Sequence, residues 1–371
     1  MKILHLISGL DSGGAEKTLY KLVTSDSKND HTIISLTRGG IFKKKLEKKN
    51  ISIYILNFKL NIYFFHEFFK LINLIKKIKP NLIQSWMYKC NFITIFIKLF
   101  YKVDVYWNIR ASFYKKLYSP LNQLIIYFSA IASHLIPMKI IYCSFESIDN
   151  HEKIFFSKKK SIFIANGFDT LENINFEKNR DILNKYHLNN KNIIFSMIAR
   201  FDPHKKHMKL VKNFIRVIQN NKNVVLILIG KNVNMKGGAL YKFIQDNNMS
   251  NNIILLDEIN NLEEIYSIID FHILFSHSES FPNVIAESMS RGIPNISSNV
   301  GHASEIINKS GWIVNNDDMD FNNIILKAIN VYNNRTEFIK LKYKCIENIS
   351  NRFSLKSMTK NYNKVWNYTN V

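Results

Sequence analysis

Two successive series of short β-branched or aromatic runs, each run followed by an amphipathic stretch, constrain the fold of this chain most. In the first half the runs 2–8, 31–37, 51–57, 81–87, 103–110 and 139–144 predict strands, with helices at 15–24, 64–77 and 117–133. In the second, strands are predicted at 192–200, 223–230, 253–257 and 271–277, and a late one at 312–314. Helices are predicted there at 206–219, 239–247, 261–269 and 282–290. Strands alternating with helices imply parallel sheets covered on both faces, so the fold class is α/β. Two series in 371 residues imply two doubly wound domains, at roughly 150 residues per domain. The polar stretch 167–191, rich in Asn and Glu, reads as the linker. The expected division is 1–170 and 171–352, with a helix near 353–371 packing back on the first domain. No repeat of 20–50 residues is visible.

A hydrophobic content of 46% supports two buried cores and excludes intrinsic disorder. The net charge of +22 is uneven, because residues 1–165 hold 26 basic and 10 acidic side chains. That excess points the first half at an anionic surface or partner. Charge alone would also suit nucleic acid, but no helix-turn-helix, zinc finger or RNA-binding aromatic signature accompanies it. Cys90, Cys143 and Cys345 lie too far apart for a disulfide framework or a zinc site, and fit a reducing, cytoplasmic setting. The apolar start 1–8 is too short for a signal sequence. No apolar run reaches the roughly 18–20 residues that span a bilayer, since Asn122, Gln123, His134, Pro137 and Lys139 interrupt the nearest one.

In doubly wound sheets ligands sit outside the carboxyl ends of the strands, so the residues following each strand carry the chemistry. After the first comes Gly9-Leu10-Asp11-Ser12-Gly13-Gly14-Ala15-Glu16, glycines leading into a helix start that suits a phosphate. The spacing is neither a nicotinamide fingerprint nor a Walker loop. After the first strand of the second half comes Arg200-Phe201-Asp202-Pro203-His204-Lys205, where a planar fork and a point charge can converge on one anion. The most informative segment is Glu279-Ser280-Phe281-Pro282-Asn283-Val284-Ile285-Ala286-Glu287. Pro282 suits the first helical position, which would aim the amides of Asn283, Val284 and Ile285 at the strand ends. Two carboxylates eight residues apart, one before the helix and one inside it, can each accept from sugar hydroxyls. Neither His204-x-x-His207 nor Asp318-Met319-Asp320 comes with the further ligands of a metal site, and the latter reads as a helix start.

With Ile164-Ala165-Asn166-Gly167-Phe168-Asp169 and Gly292-Ile293-Pro294, these motifs resemble those of the retaining, nucleotide-sugar-dependent glycosyltransferases of family 4. The likeness runs from Met1 to about residue 317. It implies a GT-B fold, two Rossmann-like domains facing across a cleft, the first binding the acceptor and the second the nucleotide sugar. It implies that Arg200 and Lys205 bind the donor diphosphate and stabilise the leaving nucleotide. Glu279 would meet hydroxyls of the transferred sugar, the amides of Phe281, Pro282's neighbour Asn283 and Val284 the phosphate, and Glu287 the ribose. Gly13 and Gly14 would face the diphosphate, and Gly230 with the loop after 253–257 the base. On the acceptor side, Asn108 and Arg110 are the candidates, while Ser85-Trp86-Met87-Tyr88 departs from relatives that carry a histidine there.

The implied reaction transfers a hexosyl or N-acetylhexosaminyl group from a UDP- or GDP-sugar with retained configuration, and with no metal and no cofactor. Lysine runs at 43–49, 76–79 and 158–160, beside the aromatic stretches 62–69 and 92–96, fit peripheral docking on an anionic inner-membrane surface. A lipid-linked glycan of surface polysaccharide biosynthesis (O-antigen, lipopolysaccharide or capsule) is the coherent acceptor. The competing enzyme of this fold, a sugar-nucleotide epimerase, would convert the donor without any acceptor.

Overall fold

The computed structural model describes residues 1–11, 13–58, 64–115, 118–170, 176–259, 261–315 and 318–367. Ser12, Ile62, Tyr63, Leu117, linker residues 171–175 and the terminal 368–371 lie outside the described residues. The chain divides into two compact units, residues 1–167 with 355–371, and residues 168–354.

The first unit runs β1 (Lys2–Gly9), α1 (Gly14–Ser25), β2 (Asp30–Arg38), α2 (Gly40–Glu47), β3 (Ser52–Ile55) and α3 (Phe64–Ile78). It continues with β4 (Leu82–Trp86), α4 (Met87–Phe100), β5 (Asp104–Ile109), α5 (Pro120–Ala132), β6 (Ile140–Tyr142), α6 (Phe145–Glu152) and β7 (Ser161–Phe163). In the second, α7 (Arg180–Lys185) precedes β8 (Ile193–Ile198), α8 (His207–Asn220), β9 (Val224–Ile229), α9 (Ala239–Asp246) and β10 (Ile253–Leu256). There follow α10 (Leu262–Tyr266), β11 (Phe271–Leu274), α11 (Asn283–Met289), β12 (Asn295–Ser298), α12 (Ala303–Ile307) and β13 (Gly311–Val314). Helices α13 (Asp318–Asn333) and α14 (Arg335–Arg352) close that unit, and α15 (Leu355–Trp366) belongs to the first.

Both sheets are parallel, with strand orders β3-β2-β1-β4-β5-β6-β7 and β10-β9-β8-β11-β12-β13. Side chains of each strand alternate between two cores, as a sheet covered on both faces demands. Leu4 and Leu6 of β1 pack with α3, α4 and α5, while Ile3 and Ile7 join α1, α2 and α15. Every predicted strand is present. β7, β12, α2, α4, α6, α7, α12 and α14 were not foreseen, and α7 puts a helical turn inside the predicted linker.

Buried polar chains hold the first unit. Asp26 accepts from His31 at 3.1 Å, His31 meets His5 at 2.9 Å, and the Trp86 indole donates to His5 at 3.2 Å. The unexpected Trp86 is therefore the far end of an internal relay, and burial, followed by the nearby His31, keeps His5 neutral well below the usual histidine range. Gly167 lets α15 approach closely, since a Cβ there would lie 2.9 Å from the Leu355 Cα.

Candidate active site

The second sheet reverses its strand order between β8 and β11, and a ligand crevice opens outside the carboxyl ends of such a pair. Beyond β8 a 3₁₀ turn over Pro203–Lys205 is capped by Asp202, which accepts from the His204 amide at 2.9 Å. Beyond β11 the chain runs from Ser276 to Phe281, and His277 donates its amide to the His204 carbonyl at 2.7 Å. The two loops are thus sewn together. Lys205 pairs with Glu279, whose Oε1 also accepts from Ser276 Oγ at 3.0 Å. These side chains are 21% and 17% exposed, so an ammonium and a carboxylate of two separate motifs meet in a half-buried spot.

Arg200 behaves differently. It is 71% exposed and its guanidinium lies 3.3 Å from Asp202 Oδ2. Burial acts to raise the Asp202 carboxyl, but the His204 amide and the charges of Arg200, His204 and Lys205 outweigh it and hold it below the ordinary value. Arg200 and Lys205 therefore flank Asp202, each with its own carboxylate, instead of converging on one point.

Two glycines shape these loops. A Cβ on Gly230 would lie 2.3 Å from the Ala199 carbonyl, so its missing side chain seats the end of β9 against the loop after β8. Gly301, with a φ of +54°, packs under the Glu279 loop, where a Cβ would lie 2.5 Å from the carbonyls of both Glu279 and Ser280. Gly301 had no assigned role in the sequence motifs.

Pro282 corrects one expectation. It caps α11 from outside, and the helix begins at Asn283. The Ile285 amide donates to the Pro282 carbonyl at 3.1 Å and is not directed at the strand ends. Phe281 is buried, stacked against Phe168 and His302 at 6.0 and 5.5 Å, and anchors the loop. Further along α11, Glu287 is half-buried beside Tyr266 and Arg291. Burial first, and then the Glu287 charge, drive the Tyr266 hydroxyl far above its usual range. Arg291 pairs with Glu263 and stacks over Tyr266 at 5.7 Å. Glu263 and Tyr266 belong to α10 and Arg291 follows α11, and no local motif announces the three together.

Helix α11 is seated from behind by a buried chain. His272 donates from Nδ1 to Asn295 Oδ1 at 2.7 Å, and Asn295 Nδ2 donates to Ser288 Oγ at 2.8 Å.

In the first unit the strand order reverses between β1 and β4. Gly13 caps α1, and the Glu16 carboxylate folds over it so closely that a Gly13 Cβ would lie 2.3 Å away. Beside β1 and β4 a cavity of about 250 Å³ is lined by Ser8, Met87, Tyr88, Lys89, Tyr118, Asn122, Ile125 and Ile126. Met87 sits on its wall with a φ of +70°, a left-handed backbone that a side-chain-bearing residue holds only when its surroundings impose it. Asn108 and Arg110 are both engaged by groups of the first unit itself. Asn108 is buried and donates to the Tyr362 hydroxyl at 2.6 Å. Arg110 donates to Ile164 O at 3.1 Å, to Asn166 Oδ1 at 2.7 Å and to the same Tyr362 hydroxyl. Sequence placed them at a strand end, but α15, distant in the chain, folds back and takes both.

Among the described residues no three His, Cys, Asp or Glu side chains come together as a metal-binding group. Asp318 accepts from Asn213 and Lys209, and Asp320 from the Asn315 amide, so both work at the start of α13.

Residues 178–345 match the family described as glycosyl transferases group 1. The chain is 26% identical over 197 residues to the capsular polysaccharide biosynthesis glycosyltransferase CapM of Staphylococcus aureus, which covers 51% of this chain and 50% of that protein. It is 24% identical over 180 residues to the Escherichia coli UDP-Gal:alpha-D-GlcNAc-diphosphoundecaprenol alpha-1,3-galactosyltransferase, covering 46% and 45%. The chain therefore spans about half the length of the curated relatives it matches. Among solved structures, Anabaena Alr3699/HepE in complex with UDP aligns with a TM-score of 0.81 at 18% identity, over 98% of this chain and 99% of that one. The same protein in complex with UDP-glucose aligns at 0.80 and 18% identity, over 98% of each. The fold is GT-B.

Proposed function

We propose that this chain is a retaining glycosyltransferase that moves a sugar from a nucleoside-diphosphate sugar to a lipid-linked glycan in bacterial surface polysaccharide biosynthesis. The observation that carries the reading is the Lys205–Glu279 pair at the carboxyl ends of β8 and β11, where a doubly wound sheet receives its ligand. The group 1 match over this unit and the UDP-glucose complex of the HepE neighbour support it.

In this reading the donor diphosphate draws Lys205 off Glu279, and Arg200 swings from Asp202 to the same phosphates. Glu279, released, accepts hydroxyls of the transferred sugar, and Glu287 takes the ribose. The amides of Phe281, Asn283 and Val284 meet the phosphates. The bond between the anomeric carbon and the diphosphate oxygen breaks, leaving both electrons on that oxygen. The acceptor hydroxyl forms the new bond on the same face and passes its proton to the departing phosphate. Each preorganised donor at the oxygen gaining charge is worth about 3–4 kcal/mol. Neither metal nor cofactor enters this route. The cavity beside Met87 and Tyr118 takes the acceptor, at the cytoplasmic face of the inner membrane. The transferred group is a hexosyl or N-acetylhexosaminyl unit on UDP or GDP.

A thermal-shift screen of UDP- and GDP-sugars tests the reading, because a ligand bound only by the folded state raises the melting temperature. One donor should stabilise the wild type, and Glu287→Ala should abolish most of that shift. Absence of any shift, or an unchanged one in Glu287→Ala, would reject the ribose assignment and the donor site with it.

A further inference from the structure

Helices α3 to α6 form one layer over the first sheet, and the outward side of that layer is unusually apolar. Helix α5 carries no charged residue from Pro120 to Ala132. Its inward stripe, Ile125, Ile126 and Ala130, is buried in the core. The opposite stripe, Leu121, Leu124, Tyr127, Phe128 and Ile131, is exposed and continues to Leu135, which is 84% exposed. A helix apolar all round belongs in an interior, and α5 has protein on one side only. Helix α4, packed against α5, turns Phe96, Leu99 and Phe100 outward. Phe69 of α3 extends the surface, its ring 6.0 Å from that of Phe100. Single exposed apolar residues are ordinary, but a surface running over three neighbouring helices marks a docking face.

Charge identifies what covers it. Between Met87 and Lys139 the sequence holds six lysines and one acidic residue, Asp104. At the end of α4, Lys98 gathers with Lys139 and Lys160. Burial, then the charges of Lys139 and Lys98, push the Lys160 ammonium below its usual value. A second copy docking through the same face on a two-fold axis would bring lysines against lysines. A sheet of anionic lipid answers both features, offering acyl chains to Leu and Phe and phosphates to the surrounding ammoniums, with Tyr127 at the boundary.

We propose that the outer face of α4 and α5 is the surface by which this chain docks on an anionic bilayer, with Leu99, Leu124, Phe128 and Ile131 entering the acyl boundary. The inference deepens the membrane-surface reading above and rests on it. It extends the contact from the aromatic runs 62–69 and 92–96, where Phe65, Phe69 and Phe96 are exposed, onto α5.

The test is flotation with vesicles of phosphatidylcholine and phosphatidylglycerol in equal parts, against phosphatidylcholine alone, at physiological ionic strength. The variant is Leu124→Asp with Phe128→Asp, two exposed positions that line neither the cavity nor the nucleotide-sugar site. Wild type should float with the mixed vesicles and bind pure phosphatidylcholine at least about tenfold more weakly. The double variant should lose at least about tenfold in binding to the mixed vesicles while its melting temperature holds. Equal flotation of variant and wild type, or no flotation of either, overturns the proposal. So does a wild-type dimer that the substitutions dissociate without any vesicle binding. The UDP-glucose thermal shift, measured on both proteins, reports the donor reading separately from the vesicle result.

Discussion

Lowering the pH from neutrality should remove a defined amount of stability through His272. Both of its ring nitrogens are used as a neutral imidazole uses them. Nδ1–H donates to Asn295 at 2.7 Å, and Nε2 accepts the Ile198 amide at 3.3 Å. A proton on Nε2 would face that N–H and bring a charge into the core. Burial accordingly pushes the imidazole from 6.5 down to about 4. The folded form then binds this proton more weakly than the unfolded chain does. Its contribution is complete above pH 6.5 and drains as the pH falls towards about 4. That displacement corresponds to roughly 3 kcal/mol, a substantial part of the 5–15 kcal/mol typical of folded proteins. Urea melts of wild type and His272→Gln across this pH range measure it. His151 and His207, also pushed down to about 4 by burial, decline in both proteins and cancel. The variant should be less stable at neutral pH, yet lose roughly 3 kcal/mol less between neutrality and pH 4. An identical loss in the two proteins would refute the reasoning. Because Asn295 hands the same chain on to Ser288 in α11, the donor-induced thermal shift should also shrink in His272→Gln.

Arg200→Ala should lower turnover about a hundredfold or more with the melting temperature unchanged, since the side chain is largely in solvent. Wild-type turnover would remove Arg200 from the mechanism. Gly301→Ala should cost about 2–3 kcal/mol, the strain of a left-handed alanine together with the push on the Glu279 loop. Gly237→Ala provides the control, having a φ of +77° but nothing within 4 Å, and should cost only about 1 kcal/mol with transfer intact. Equal effects of the two substitutions would show that the packing under Glu279 is immaterial.

Much of the candidate site was legible because its parts are local motifs. Glu279 to Glu287, and Arg200 to Lys205, each follow a strand directly, and short-range spacing is what a sequence displays. The strands were equally readable, since fully buried parallel strands are continuous apolar runs. Among the helices that escaped notice, α4 has little polar side to contrast with its apolar one, and α7 and α12 are too short to show a period.

Pairing was the part that belonged to the folded molecule. Lys205 and Glu279 are 74 residues apart in the chain, and only the adjacency of β8 and β11 makes them a pair. Tyr266 of α10 likewise meets Glu287 and Arg291 only in the folded chain. Asn108 and Arg110 stood where an acceptor would be met, until α15 came back over 250 residues later in the chain and engaged both. Local backbone preference and hydrophobic periodicity act over a few residues, and they specified the strands, the switch-point loops and their charged side chains. Which charge finds a partner, which helix face stays bare and which polar group is sealed inside depend on contacts between distant segments, and these arise only once the sheets assemble.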